Sequence, residues 1–135
     1  MRRIAERPRL RRDLGRLNEL IISRRFDEAL ELARSIRARR PDHPDALVAE
    51  SLCLIHKRRF HDARAVLRGP GWTSALQPLR TYLQATAESG SRRLTDASMS
   101  LAECLRMAPE MANEAAMNPY LAALLPIALR AAREA

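Results

Sequence analysis

Aromatic residues and lysine are scarce in this chain of 135 residues. Aromatics make up 4% of it and Lys57 is its sole lysine, whereas 47% of the residues are apolar. A core must therefore consist mainly of Leu, Ile, Val and Ala, which favours helices over a β-sandwich. The length suits one domain with a modest core.

Long apolar runs are also missing. No stretch approaches the roughly 20 apolar residues of a membrane span. The first twelve residues carry six arginines and no apolar run follows them, so no signal peptide is predicted. Cys53 and Cys104 lie at apolar positions without metal-type spacing, which indicates buried free thiols in a reducing compartment. These features predict a cytoplasmic protein without a membrane span.

Motifs for catalysis and metal binding are absent as well. There is no glycine-rich phosphate loop, no Gly-x-Ser-x-Gly, no paired-histidine zinc motif and no Cys-x-x-Cys. Cys53 and His56 have the spacing of a nucleophile and a base, but no third orienting group is evident. His43, His56 and His61 lack ligand spacing. We therefore predict no catalytic site, no metal site and no cofactor.

What the chain does contain is a six-residue segment that occurs three times. The copies span residues 24–29, 58–63 and 92–97, each beginning 34 residues after the last. Other positions keep the same register, namely Leu20 with Leu54, Ile21 with Ile55, and Ala33 with Leu67 and Leu101. A fixed period of 20–50 residues indicates a repeat architecture.

This period resembles the tetratricopeptide repeat, a helix–turn–helix unit of 34 residues. The small residues Ala29 and Ala33, the large apolar Ile36 and the closing Pro41 are similar to the signature of that family's second helix. The resemblance implies an all-α fold, an α–α superhelix of three tandem helix–turn–helix repeats. The repeats are predicted at about residues 10–43, 44–77 and 78–111.

The segments outside the repeats are predicted from their composition. Residues 1–9 are expected to form a mobile basic arm, and residues 112–135 a linker followed by a C-terminal capping helix. That helix should open at Asn118-Pro119 and be kinked by Pro126. Within the repeats we predict helices at about residues 10–23, 26–39, 45–56, 60–68, 74–89 and 94–107. Gly69-Pro70-Gly71 shortens the fourth helix, and Trp72 is expected to pack across the bent junction.

In tetratricopeptide arrays the first helices line a concave surface that receives a peptide or a helix. The resemblance therefore implies a groove, and its predicted residues are Leu14, Asn18, Ile21, Ile22, Val48, Leu52, Ile55, His56, Leu79, Tyr82 and Thr86. This mostly apolar set suits the apolar side of a partner's amphipathic helix or extended segment. Alternatively, these residues are core or are covered by the C-terminal helix. Only Asn18 matches the family's carboxylate clamp, so chaperone-tail binding of that type is not predicted.

A second candidate surface is the basic ladder, which consists of Arg24, Arg25, Arg58, Arg59, Arg92 and Arg93. The period places the three pairs along one edge, where they could hold acidic side chains or phosphates. Alternatively, long polar side chains simply suit exposed turns. The net charge of +8 similarly suggests an acidic peptide, nucleic acid or an anionic membrane surface as partner, or else only a solvated surface.

The leading hypothesis is a non-catalytic, protein-binding adaptor or chaperone. The segment from Phe26 to Ala63 looks like the helical-repeat chaperones and apparatus proteins of type III secretion, although many of those are acidic. One alternative is a nucleic-acid-associated factor that uses the basic arm and the ladder. Scarce aromatics count against it. Another alternative is a structural subunit that forms homo-oligomers through its last helix or its groove.

Overall fold

The computed structural model describes the backbone of residues 2–134 and the side chains of residues 7–134, and it contains only helices and connecting turns there. The α-helices are α1 Arg2–Ile22, α2 Phe26–Arg39, α3 Pro44–His56, α4 Phe60–Arg68, α5 Gln77–Gly90, α6 Leu94–Met107, α7 Ala112–Met117 and α8 Leu125–Glu134. The predicted all-α class is confirmed. None of these helices has both the length and the apolar character needed to cross a lipid bilayer.

Three helix pairs stack along the chain to form the array. The pairs are α1 with α2, α3 with α4, and α5 with α6, and a three-residue turn joins the members of each pair. Consecutive pairs pack through α2 on α3 and through α4 on α5, and α8 covers α6. The last residues of the three six-residue segments, Ala29, Ala63 and Ala97, are fully buried. Small side chains there allow the paired helices to approach closely.

The core consists of two clusters. The larger one contains residues of α1, α2, α3, α4 and α5 and includes Leu20, Leu54 and Leu67. The smaller one lies between α5, α6 and the C-terminal helices and includes Leu101 and Leu121. Trp72 packs on the larger cluster, and its indole Nε1 donates to the Val66 carbonyl at 3.2 Å. Trp72 thus packs at the end of the shortened fourth helix, at the junction where it was predicted to pack.

The turns inside the three pairs share one hydrogen-bond pattern. In the first turn the Arg25 N–H donates to the Leu20 carbonyl at 2.8 Å. The Arg24 N–H donates to the Ile21 carbonyl at 3.0 Å, which completes a Schellman motif. The second and third turns repeat these bonds in the 34-residue register. The residues at the left-handed position are Arg24, Arg58 and Arg92, with φ of 58, 61 and 62°.

Replacing Arg58 with glycine should raise the free energy of unfolding by about 0.5–1 kcal/mol. A left-handed conformation costs an L-residue about 1–2 kcal/mol, and the greater chain entropy of unfolded glycine offsets part of that gain. Arg59→Gly is the matched control, since Arg59 has a φ of −92° and its Nε donates to Asp62. Urea denaturation should show stabilisation for Arg58→Gly and destabilisation for Arg59→Gly. A loss of stability in Arg58→Gly would contradict the prediction.

The structure corrects three predictions about the chain ends. Residues 2–9 belong to α1, whereas we predicted a mobile arm; Met1 lies outside the described residues. Residues 112–117 form α7, whereas we predicted a linker. The last α-helix begins at Leu125 and not at residue 119. Pro126 is thus its second residue. The N–H groups of the first turn have no partner inside a helix, so proline is tolerated there, and the kink predicted at Pro126 is replaced by a helix start.

Candidate partner-binding groove

The first helices of the three pairs enclose a cavity of about 400 Å³. Six predicted groove residues line it: Leu14, Asn18, Ile21, Val48, Leu52 and Leu79. The five aliphatic members are half-buried, whereas Asn18 is exposed. Asp45, at the start of α3, adds a carboxylate to the lining. This part of the concave surface is apolar at its centre and polar at two points.

A second cavity, of about 440 Å³, lies further along the same surface. Leu52 lines both cavities, and four more predicted residues line the second: Ile55, His56, Tyr82 and Thr86. Ile55 and Thr86 are only 6% and 4% exposed, so they form the floor. Ile22 lines neither of the two cavities and is 72% exposed at the end of α1. The predicted set therefore divides into two regions and one isolated residue.

Residues 112–121, named here the C-terminal segment, lie over the second region. The Asn118 side-chain amide donates to the Tyr82 hydroxyl at 3.1 Å and to Thr86 Oγ1 at 3.2 Å. Ser89 Oγ donates to the Tyr120 carbonyl at 2.5 Å. Burial raises the pKa of Tyr82, so its phenol is neutral at physiological pH. The polar groups of the third pair that face the groove are thus bonded within the chain.

Asn118 was not among the predicted groove residues. It was predicted only to open the last helix, and its side-chain oxygen accepts the Tyr120 N–H at 2.9 Å. The contact with Tyr82 joins residues 36 positions apart. No local pattern identifies such a contact, because Asn-Pro predicts a turn wherever it occurs.

His56 and Cys53, weighed as a catalytic pair, occupy different environments. Cys53 is fully buried, and burial together with the charge of Glu50 raises its pKa to about 11. Its thiol is therefore protonated at neutral pH. The ring of His56 stacks on Phe26 with centroids 4.3 Å apart, and Arg24 lies 5.5 Å from the centroid of Phe26. Stacking between pairs is the observed role of His56.

Lowering the pH from 7.5 to 5.5 should reduce stability through His56. Burial, and then the charge of Arg24, lowers the pKa of His56 below its usual value of 6.5. The unfolded chain then binds the proton first, so this contribution is complete above pH 6.5 and is lost as the pH falls below it. Urea denaturation of wild type and His56→Gln at both pH values measures the difference. Equal losses in the two proteins would contradict the prediction.

The basic ladder divides into two kinds of arginine. The second member of each pair binds the acid three residues later, as Arg25 with Glu28, Arg59 with Asp62 and Arg93 with Asp96, at 2.6–2.8 Å. Within the described part of the chain, the first members form no ion pair. These exposed first members are Arg24, Arg58 and Arg92. Among the described residues, no acidic side chain lies within ion-pair distance of these three arginines.

A family model described as tetratricopeptide repeat matches residues 20–71, which run from the end of α1 past α4. No curated protein and no solved structure matches the chain. Repeats of this kind generally mediate protein–protein interaction. The matched segment is thus similar to tetratricopeptide repeats, and the three helix pairs of the chain keep one 34-residue register.

Proposed function

We propose that the protein is a non-catalytic adaptor that holds an apolar segment of a partner protein against α1, α3 and α5. The observation that carries the proposal is the cavity of about 400 Å³ with five half-buried aliphatic side chains in its lining. Ligand sites typically have volumes of about 300–1,000 Å³, mostly apolar walls and a few polar groups that orient the ligand. Asn18 and Asp45 supply such groups here.

The shape of this surface favours a helical or extended segment as the ligand. An amphipathic helix presents anchor side chains on one face at steps of three and four residues. On the groove side, Leu14 and Ile21 are seven residues apart on α1, and Val48 and Leu52 are four apart on α3, so each pair lies on one face of its helix. Two parallel rows of anchors therefore face one cavity, with Leu79 from α5 closing it.

The charge of the edge next to the groove favours a partner with acidic flanks. Arg24, Arg58 and Arg92 follow the ends of α1, α3 and α5, so they lie along one side of the concave surface. Carboxylates of a bound segment would form charge-assisted hydrogen bonds with their guanidinium groups. The apolar centre would supply most of the affinity, and the arginines would supply orientation and a faster encounter.

The finer form of the proposal is a cytoplasmic chaperone of a bacterial type III secretion system. The segment from Phe26 to Ala63 and the apolar cavity support it, whereas the net charge of +8 departs from the acidic character of many such chaperones. Co-expression with candidate secretion substrates encoded by neighbouring genes tests this form. A substrate that stays soluble only with this protein is the expected result, and solubility without it would contradict the finer form.

The experiment that tests the general proposal is capture of a partner from the source cell with wild type and with Val48→Glu/Leu79→Glu. Both positions are half-buried and line the cavity, so the carboxylates should repel an apolar ligand. Ile22→Glu is the matched control, because Ile22 is exposed outside the cavity. Ile55 is unsuitable because it is only 6% exposed and a glutamate there would be buried.

One protein that binds wild type and Ile22→Glu, and binds the double variant at least tenfold more weakly, is the expected result. Circular dichroism must first show that the variants are folded. Equal capture by all three proteins would overturn the groove as the binding site. Capture of nucleic acid that salt releases would overturn the adaptor proposal in favour of a phosphate-binding role.

A further inference from the structure

The two ends of the array carry charge of opposite sign. Helix α1 contains seven arginines and three acidic residues. Residues 94–134, which include α6, α7 and α8, contain five acidic residues and three arginines, within a chain of net charge +8. The beginning of the array is therefore basic and its end is slightly acidic.

The basic half of α1 extends beyond the helix that it packs on. Arg39, the last residue of α2, donates to the Asp13 carboxylate at 2.5 Å, which places the end of α2 level with Asp13. Leu10 still packs against the larger core cluster, so residues 2–9 are the part of α1 that continues past it, for about 12 Å at 1.5 Å per residue. The exposed arginines at this end of α1 include Arg7, Arg9, Arg11 and Arg12.

The other end of the array has an apolar cleft of about 430 Å³ between α6 and α8. Three of its side chains are among the most exposed apolar ones in the described part of the chain: Leu94 at 52%, Met99 at 66% and Ile127 at 59%. This cleft belongs to α6 and α8, whereas the candidate groove belongs to α1, α3 and α5. It is a separate surface.

An acidic cavity of about 350 Å³ adjoins the cleft and shares Met99 with it. Glu88 and Glu103 line it, and neither forms an ion pair within residues 7–134. Two other charged residues line it as well: Asp96 is paired with Arg93, and Arg106 donates to the Ala131 carbonyl at 2.9 Å. Glu88 is only 6% exposed and accepts a hydrogen bond from Ser100 Oγ at 2.6 Å. A carboxylate at that depth beside an open cavity favours a basic side chain as its ligand.

We infer that copies of this chain associate head to tail through these two ends. The N-terminal half of α1 of one copy binds the end of the next copy, with the apolar stems of its arginines against the apolar cleft and their guanidinium groups at the acidic cavity. Two heads would repel each other, so the charge distribution opposes two-fold pairing through the heads. A head-to-tail interface leaves a free head and a free tail and therefore produces chains of increasing length.

The first test is the mass of the full chain as a function of concentration, measured by analytical ultracentrifugation. The weight-average mass should rise above 15.3 kDa without levelling off at a dimer. Raising the salt from 0.1 to 0.5 M should weaken the association at least tenfold, because the pairing charges are partly exposed. A monomer at every concentration would overturn the inference.

The second test separates head-to-tail from two-fold association by mixing variants. The head variant is Arg9→Glu/Arg12→Glu, and the tail variant is Met99→Asp/Ile127→Asp; all four positions are exposed. Each variant alone should be monomeric. An equimolar mixture should form a heterodimer and nothing larger, because one intact head meets one intact tail.

Arg40→Glu/Arg68→Glu is the matched control, since it makes the same change in charge at two exposed positions outside α1, the apolar cleft and the acidic cavity. It should assemble as wild type does. Loss of assembly in this control, or no heterodimer in the mixture, would overturn the inference. Assembly of the head variant as in wild type would also overturn it, because α1 would then lie outside the interface.

Discussion

Leu54 and Glu88 occupy equivalent positions in the second and third repeats, and substitutions there should change the free energy of unfolding in opposite directions. Leu54→Glu should lower the free energy of unfolding by at least about 4 kcal/mol, because it buries an unpaired carboxylate. Glu88→Leu combined with Ser100→Val should raise it by about 1 kcal/mol, because both hydrogen-bond partners are replaced by apolar groups. Leu54 and Glu88 occupy the same position of consecutive repeats, 34 residues apart.

The opposite effects follow from the residue found twelve positions later in each repeat. Leu54 is fully buried in the larger cluster, and the residue at the later position is Val66, which packs against that cluster. Glu88 instead accepts a hydrogen bond from Ser100 at that later position and lines an open cavity. The two positions therefore change together, apolar in the second repeat and polar in the third.

Urea denaturation of the exchanged variants measures both effects. Leu54→Ala supplies a graded variant that should remain measurable, with an expected loss of about 3–5 kcal/mol from the cavity that it creates. If Leu54→Glu were as stable as Leu54→Ala, the site would be accessible to water in solution. If the double replacement of Glu88 and Ser100 destabilised the protein, their hydrogen bond would be worth more than the burial of two apolar side chains.

The second helix of each pair was predictable from sequence. The bounds predicted for α2, α4 and α6 are those of the structure, Phe26–Arg39, Phe60–Arg68 and Leu94–Met107. Each of these helices begins directly after a periodic arginine pair, and α2 and α6 end before a proline. Both signals are local. They do not depend on contacts with distant parts of the chain, so they were sufficient to predict the all-α class and the 34-residue register.

The chain ends and the extent of the groove depend on contacts that local signals do not describe. Residues 1–9, which include four arginines, were predicted to form a mobile arm, yet residues 2–9 belong to the helix that Leu17 and Leu20 anchor in the core. The third repeat's part of the groove is covered by a segment about thirty residues downstream. Which of the predicted groove residues were accessible therefore depended on tertiary packing.

Consecutive helix pairs also contact each other through residues that are thirty positions apart in the sequence. One of these contacts leads to the second large predicted effect on stability. Phe26 stacks on His56, and Phe60 packs on Gly90, in each case thirty residues later. A Cβ atom on Gly90 would lie 2.4 Å from the Phe60 ring. Gly90→Ala should therefore lower the free energy of unfolding by about 1–3 kcal/mol, because a ring that also contacts Tyr120 must move.

Gly15→Ala is the matched control for that substitution. A Cβ atom on Gly15 would meet nothing within 4 Å, and the residue lies inside α1. Alanine there should raise the free energy of unfolding by about 0.5–1 kcal/mol, because it has the higher helix propensity. The same chemical change is thus expected to have opposite signs at the two glycines.

A double-mutant cycle assigns the loss at Gly90 to its cause. In a Phe60→Leu background the smaller and more flexible side chain can yield, so Gly90→Ala should cost at least about 1 kcal/mol less than it does in wild type. Urea denaturation of the four proteins supplies the coupling energy. If the cost of Gly90→Ala were the same in both backgrounds, the ring would not be the obstacle. The thirty-residue contact would then not be what joins the second pair of helices to the third.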